Sequence, residues 1–264
     1  MGIRKATKKI LFKYLTRPDK QHINRYLFDW IVKYRGFNNL GEPEVSGEQW
    51  FIEEILSKSN VQLCLAIGAN KGDYSRLLLE KLDAKVIACE PLPIHSDDLQ
   101  KLKMKYGDRF EALSLAVGEE VCVRDIYYDP NMTGHSSLHR EVEAIEYVHF
   151  PSKVSVQVTT IDQLVADQKI SHIDLIKIDT EGYELHVLAG AENTLKTMPP
   201  EYIQFEFNWH YLITGGSLYQ FHKALLDYDL YRLLPKRNGW IKVDPVDWRE
   251  NIFAFSNYVA VHKG

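Results

Sequence analysis

Val61-Gln62-Leu63-Cys64-Leu65-Ala66-Ile67-Gly68-Ala69-Asn70-Lys71-Gly72-Asp73-Tyr74 runs from an apolar stretch into a glycine turn. Beyond the turn, Tyr74, Leu77, Leu78 and Leu82 recur at helical spacing. A short apolar run that ends in glycine and is followed by an amphipathic stretch reads as a buried strand, a tight turn and a helix. The pattern repeats downstream. Strands are expected over residues 85–89, 110–117, 154–159, 173–178 and 202–207, and helices over 73–82, 99–106, 161–167 and 183–196. Strands alternating with helices predict a parallel α/β sheet with right-handed crossovers.

Upstream of residue 60 the pattern is helical instead. Residues 1–17, 22–34 and 50–56 have helical spacing, Arg17-Pro18-Asp19 ends the first of them, and 36–47 reads as a loop. The chain therefore divides into a helical extension or cap over 1–59 and an α/β domain over 60–264. Residues 1–20 carry seven basic side chains against Asp19 alone. Residues 1–17, with Ile3, Ile10, Leu11, Tyr14 and Leu15 on one side, suit either packing on the domain or peripheral contact with an anionic membrane. Packing on the domain or on a second subunit is the expectation.

At 264 residues with 45% hydrophobic and 26% charged content, the chain is neither disordered nor built around a membrane span. A net charge of −4 argues against a general nucleic-acid binder. Cys64, Cys89 and Cys122 have no metal-binding spacing and form no disulfide framework. A cytoplasmic location is expected, at the inner membrane face if the N-terminal segment docks there. A homo-oligomer is compatible with all of this.

Three motifs carry chemistry. The Gly68 turn presents free N–H groups to an anion, and Glu90 closes the second strand 22 residues later, where an acid accepts ribose hydroxyls in nucleotide-binding sheets. The turn lacks G-x-G-x-x-G, which removes a nicotinamide-dependent oxidoreductase from contention. The stretch Asp174 to Glu184 places Asp179 and Glu181 just past a buried strand, suited to chemistry or to helix capping, with Glu184 expected to face solvent. Glu206, Asn208 and His210 alternate after the next strand, on one side if that segment stays extended. Asp179, Glu206 and Asn208 would suit Mg²⁺ or a substrate hydroxyl. The polar turn 131–138 reads equally as an active-site loop or a solvated one. Trp209, Tyr211 and Trp240 read as sugar-stacking or as core residues.

The ordered set Ile67 to Tyr74, Ile87-Ala-Cys-Glu-Pro91, Leu115-Ala-Val-Gly118, His135-Ser-Ser-Leu138, Thr159-Thr-Ile-Asp162, Ile176 to Glu184 and Leu188-Ala-Gly-Ala191 resembles the FkbM family of S-adenosylmethionine-dependent methyltransferases. The resemblance covers roughly residues 60–210 and implies the class I methyltransferase fold. That fold is a seven-stranded, mostly parallel Rossmann-like sheet, closed here by an antiparallel pair over 231–234 and 258–262. It implies O-methylation of a small-molecule, sugar or glycan acceptor. It places S-adenosylmethionine against Gly68, Ala69, Asn70, Gly72, Asp73, Tyr74, Glu90 and Asp179, with the adenine near Ala116 and Val117. Asp179, Glu181, Glu206 and His210 are the expected catalytic groups. The family usually has an acid where this chain has Ala66. That departure keeps a second reading open, a catalytically inactive binding or scaffold protein on the same fold.

Overall fold

The structure is a computed structural model, and it describes residues 2–39, 41 and 43–264; the side chains of residues 2–7, 10 and 44 lie outside that description. The strands are β1 (Leu63–Ile67), β2 (Lys85–Cys89), β3 (Phe110–Leu113), β4 (Ala116–Val117), β5 (Cys122–Tyr128), β6 (Ser152–Thr159), β7 (Leu175–Ile178), β8 (Tyr202–Phe207), β9 (Tyr228–Leu233), β10 (Trp240–Lys242) and β11 (Ser256–His262). The main sheet has eight strands in the order β10-β9-β11-β8-β7-β1-β2-β3. β3, β2, β1, β7 and β8 are parallel neighbours. β11 joins β8 and β9 antiparallel, and β10 joins β9 antiparallel. The α/β class and the closing antiparallel pair are as expected. The count of eight rather than seven comes from the short outer strand β10.

β1, β7 and β8 are buried on both faces, which is why they read as continuous apolar runs. Alternate residues feed two cores. Leu65, Ile67, Ile176, Ile178, Ile203, Phe205 and Phe207 face one. Cys64, Ala66, Leu175 and Tyr202 face the other, together with Phe51, Ile52 and Leu56 from upstream of the sheet. The segment containing Glu48–Glu54 is therefore packed directly on the sheet. Helix Gln21–Tyr34, by contrast, buries only Val32. The apolar side expected for residues 1–17 is a helix over Gly2–Leu15. Among its described side chains Leu11, Phe12 and Tyr14 are exposed, so the expected packing on the domain is not seen there; Ile3 and Ile10 lie outside the described side chains. No described helix is long and apolar enough to cross a membrane.

Two expected elements split. The strand expected over 110–117 ends at Leu113, and β4 joins a separate sheet of order β4-β6-β5. β6 pairs antiparallel with β5 and so is not part of the main parallel sheet. Its alternation of exposed Lys153, Ser155 and Gln157 with inward Val154, Val156 and Val158 is the mark of a one-sided sheet, unlike the uniformly apolar β7. The helix expected over 183–196 breaks into Glu184–Ala189 and Glu192–Thr197. At the break, Gly190 passes the carbonyl of Gly118 so closely that a Cβ would lie 2.0 Å from its oxygen.

Candidate active site

The carboxyl ends of β1, β2, β7 and β8 open on a cleft of about 650 Å³, where β2 and β7 flank β1 and the chain order changes direction. Gly68 makes the turn possible. Its φ is +77°, and a Cβ there would lie 1.8 Å from the carbonyl oxygen of Asp179, so β1 and β7 approach each other through this residue.

Glu90 forms the β2 side. Asn70 N donates to its Oε2 at 2.7 Å and Leu92 N to its Oε1 at 2.9 Å. The side chain lines the cleft although it is buried. Burial pushes its carboxyl up to about 7, against the opposing pull of those two N–H groups. Each oxygen keeps a free lone pair. Gly68, Asn70, Asp73, Ala116 and Val117 also line the cleft. Ala69 and Tyr74 do not; they line an adjoining recess of about 190 Å³. Gly72 lines neither and packs instead on Leu99 and Leu102 of helix Ser96–Tyr106. The cleft has the size of a cofactor site, and Glu90 turns acceptor oxygens toward it, so the residues present fit the cofactor that the sequence resemblance implies.

Past β7 and β8 the chemistry is denser. Carboxylate oxygens of Asp179, Glu181 and Glu206 lie within 4.8 Å of one another, and Glu181 shares a second such group with His135 and His210. His210 Nδ1 is 3.1 Å from Glu181 Oε2. Burial pushes the carboxyls of Glu181 and Glu206 upward, for Glu206 well above the ordinary range. Glu181 raises His210 despite the opposing effect of burial. Three carboxylates this close do not all ionise without a cation among them. Lys177 is one such cation, with Nζ 3.3 Å from Asp179 Oδ2. Glu181 itself sits at φ +54°, a left-handed conformation uncommon for a residue with a side chain.

The alternation of Glu206, Asn208 and His210 does not persist, because β8 ends at Phe207 and a helix begins at His210. Asn208 lies just before that helix, and its Oδ1 accepts from His210 N at 2.9 Å. Glu184 is buried rather than solvent-facing. It accepts from the backbone N–H groups of Thr180 and Gly182 and from the hydroxyl of Tyr211, and so braces the loop that carries Asp179 and Glu181. Tyr211 belongs to the core, and Trp240 packs on Trp50 and Tyr231 at the far edge of the sheet. The 131–138 turn forms a wall of the cleft, tied down where Ser137 Oγ donates to the Glu181 carbonyl at 3.0 Å.

Lys177 and Glu48, which both line the adjoining recess, escaped the sequence reading. Lys177, a lone charge inside the apolar run 175–178, left a signal. Glu48, which lines the cleft from the N-terminal side, left none.

A family model described as "Methyltransferase FkbM domain" matches residues 66–233. The chain is 28% identical over 152 residues to Methyltransferase sdnD of Sordaria araneosa, covering 47% of this chain and 58% of that protein. It is 26% identical over 158 residues to Hexuronic acid methyltransferase AglP of Haloferax volcanii, covering 59% of this chain and 61% of that protein. It thus spans about three fifths of the length of each of these relatives. An O-methyltransferase from Bacillus cereus, solved in complex with SAH, superposes with a TM-score of 0.48 at 13% identity over 97% of both chains.

Proposed function

The chain belongs to the FkbM methyltransferase family, and we propose that it transfers a methyl group from S-adenosylmethionine to a hydroxyl of a sugar, glycan or natural-product acceptor. The observation that carries this reading is one continuous cleft with an acceptor carboxylate, Glu90, on one side and Asp179, Glu181 and Glu206 on the other, with buried His210 against Glu181. The hexuronic acid named for one relative makes a uronic acid or its glycoside the first acceptor to try.

S-adenosylmethionine supplies the activated methyl. The chain's own residues must align the acceptor oxygen and remove its proton. Asp179 is the base in this reading. Glu206 and Glu181 are pushed upward by burial and hold their protons more tightly. The raised imidazole of His210 is committed to Glu181. The Lys177 ammonium lies 3.3 Å from Asp179 Oδ2, and the proton that Asp179 accepts leaves through the open side of the cleft. The three clustered carboxylates also have the donor chemistry of a Mg²⁺ site, where the ion would lower the hydroxyl's pKa.

Incubation with labelled S-adenosylmethionine and a panel of uronic acids and glycosides tests the reading. Label in an acceptor methyl ether supports it. Cofactor binding without turnover on any acceptor favours the inactive scaffold. Loss of turnover in EDTA with recovery in Mg²⁺ assigns the metal.

A further inference from the structure

Lys177 is the paired neighbour of Ala66 across the β1–β7 ladder, and the two side chains share a face of the sheet. The Lys177 side chain is 4% exposed, and a buried ammonium needs counter-charge. Ala66 offers no polar atom. Asp179, just past the end of β7, supplies one carboxylate, and the other comes from outside the sheet. Glu48 Oε1 lies 3.2 Å from Lys177 Nζ and accepts from Gln204 Nε2 at 2.6 Å, while Ser46 Oγ donates to Glu48 Oε2 at 2.9 Å. Oε2 retains a lone pair for one more donor.

Glu48 and Asp179 line both the main cleft and the 190 Å³ recess, whose lining includes Ala66. Lys71 and Asp73, at the start of helix Asp73–Lys81, line the same recess. Carboxylates stand in the recess together with a lysine and the free N–H groups of a nine-residue helix. That set of charges complements a zwitterion, the ammonium and carboxylate of an α-amino acid. It adjoins the cleft on which Glu90 stands.

We propose that Glu48, carried by the segment upstream of the sheet, occupies the space left open beside Ala66 and binds the α-ammonium of the cofactor's amino-acid end. The proposal rests on reading the cleft as an S-adenosylmethionine site. It makes the docked segment containing Glu48–Glu54 part of the cofactor site rather than a cover for it.

Calorimetry with two probes tests this. S-adenosylhomocysteine carries the ammonium, and methylthioadenosine has the same nucleoside without it. Glu48→Gln should weaken S-adenosylhomocysteine at least about tenfold and leave methylthioadenosine unchanged. Adding Ala66→Asp to Glu48→Gln should restore much of the loss by returning a carboxylate to the same space. Equal weakening of both ligands would make Glu48 a structural residue only, and no weakening of either would remove it from the site. Should Glu48→Gln fail to fold, Glu48→Asp keeps the charge that Lys177 needs and withdraws it by one methylene; loss confined to S-adenosylhomocysteine is again the expected result. A parent protein that binds neither probe overturns the cofactor reading itself, an outcome distinct from a parent that binds both and a Glu48 variant that does the same.

Discussion

On the β2 side of the cleft one carboxylate, Glu90, is held by two backbone N–H groups from its own turn and the neighbouring one. On the β7–β8 side three carboxylates share one small volume with Lys177 and His210. The first arrangement is local. A strand end, a glycine turn and an acid place one acceptor, and two short hydrogen bonds fix it. The second is assembled from separate strands, a helix start and an upstream segment, and its electrostatics belong to the group rather than to any member. The contrast matches the two tasks proposed for the cleft. Holding a ribose needs one well-oriented acceptor, whereas activating a hydroxyl needs charged groups whose proton affinities have been driven apart.

The largest expected effect tests the crowded side. Asp179→Asn should leave the fold and most cofactor affinity in place while slowing methyl transfer by about 10²-fold or more. Single-turnover assays on the true acceptor would measure it, and near-normal turnover would move the base elsewhere in the group.

Glu90→Ala tests the isolated side. Removal of a charged acceptor should cost ~1.5–3 kcal/mol of cofactor affinity. Calorimetry would show it as a higher Kd, and an unchanged Kd would detach Glu90 from the ribose.

A pH series sharpens the contrast further. Burial raises the Glu90 carboxyl to about 7, so the folded protein binds its proton more tightly than the unfolded chain does. The resulting contribution to stability is fully present below the ordinary carboxylate range and is lost as pH rises through about 7. Cofactor affinity should run the other way, because the ionised form is the better acceptor, rising up to about tenfold between about pH 6 and pH 8. Glu90→Gln should flatten both trends; a slope that persists in this variant would assign the titration to another group.

The smallest effect is expected at Glu206. Burial drives its carboxyl well above the ordinary range, and an amide has nearly the same shape as a protonated carboxyl. Glu206→Gln should therefore change unfolding free energy by less than about 1 kcal/mol. A large drop in Tm would mean that Glu206 is ionised in the folded protein.

The sequence revealed the two sides of the cleft unequally. Glu90 was readable because its context is contiguous: an apolar strand, a glycine turn and an acid at fixed spacing are features of one short stretch. Asp179, Glu181 and Glu206 were readable as strand-end acids, but their meeting within 4.8 Å depends on β7 and β8 being neighbours in register. Glu184 was misplaced because its position on a helix start suits both solvent and a bracing role; the fold decided by turning Thr180, Gly182 and Tyr211 toward it. β6 was put in the main sheet because its length and apolar content suit a crossover strand, although its polar alternation already distinguished it from β7.

What the sequence by itself determined is whatever depends on local periodicity: the α/β class, the β1 turn, the acid at the end of β2 and the ordered motifs that mark the family. The tertiary structure alone decided which second carboxylate, beside Asp179, neutralises Lys177. Ala66, its neighbour in the sheet, carries none, and Glu48 approaches from 129 positions upstream (177 minus 48) because Phe51, Ile52 and Leu56 bury their side chains in the same core. Apolar burial is non-directional and leaves no motif, so a carboxylate that it delivers to a distant ammonium cannot be read from either stretch of sequence alone.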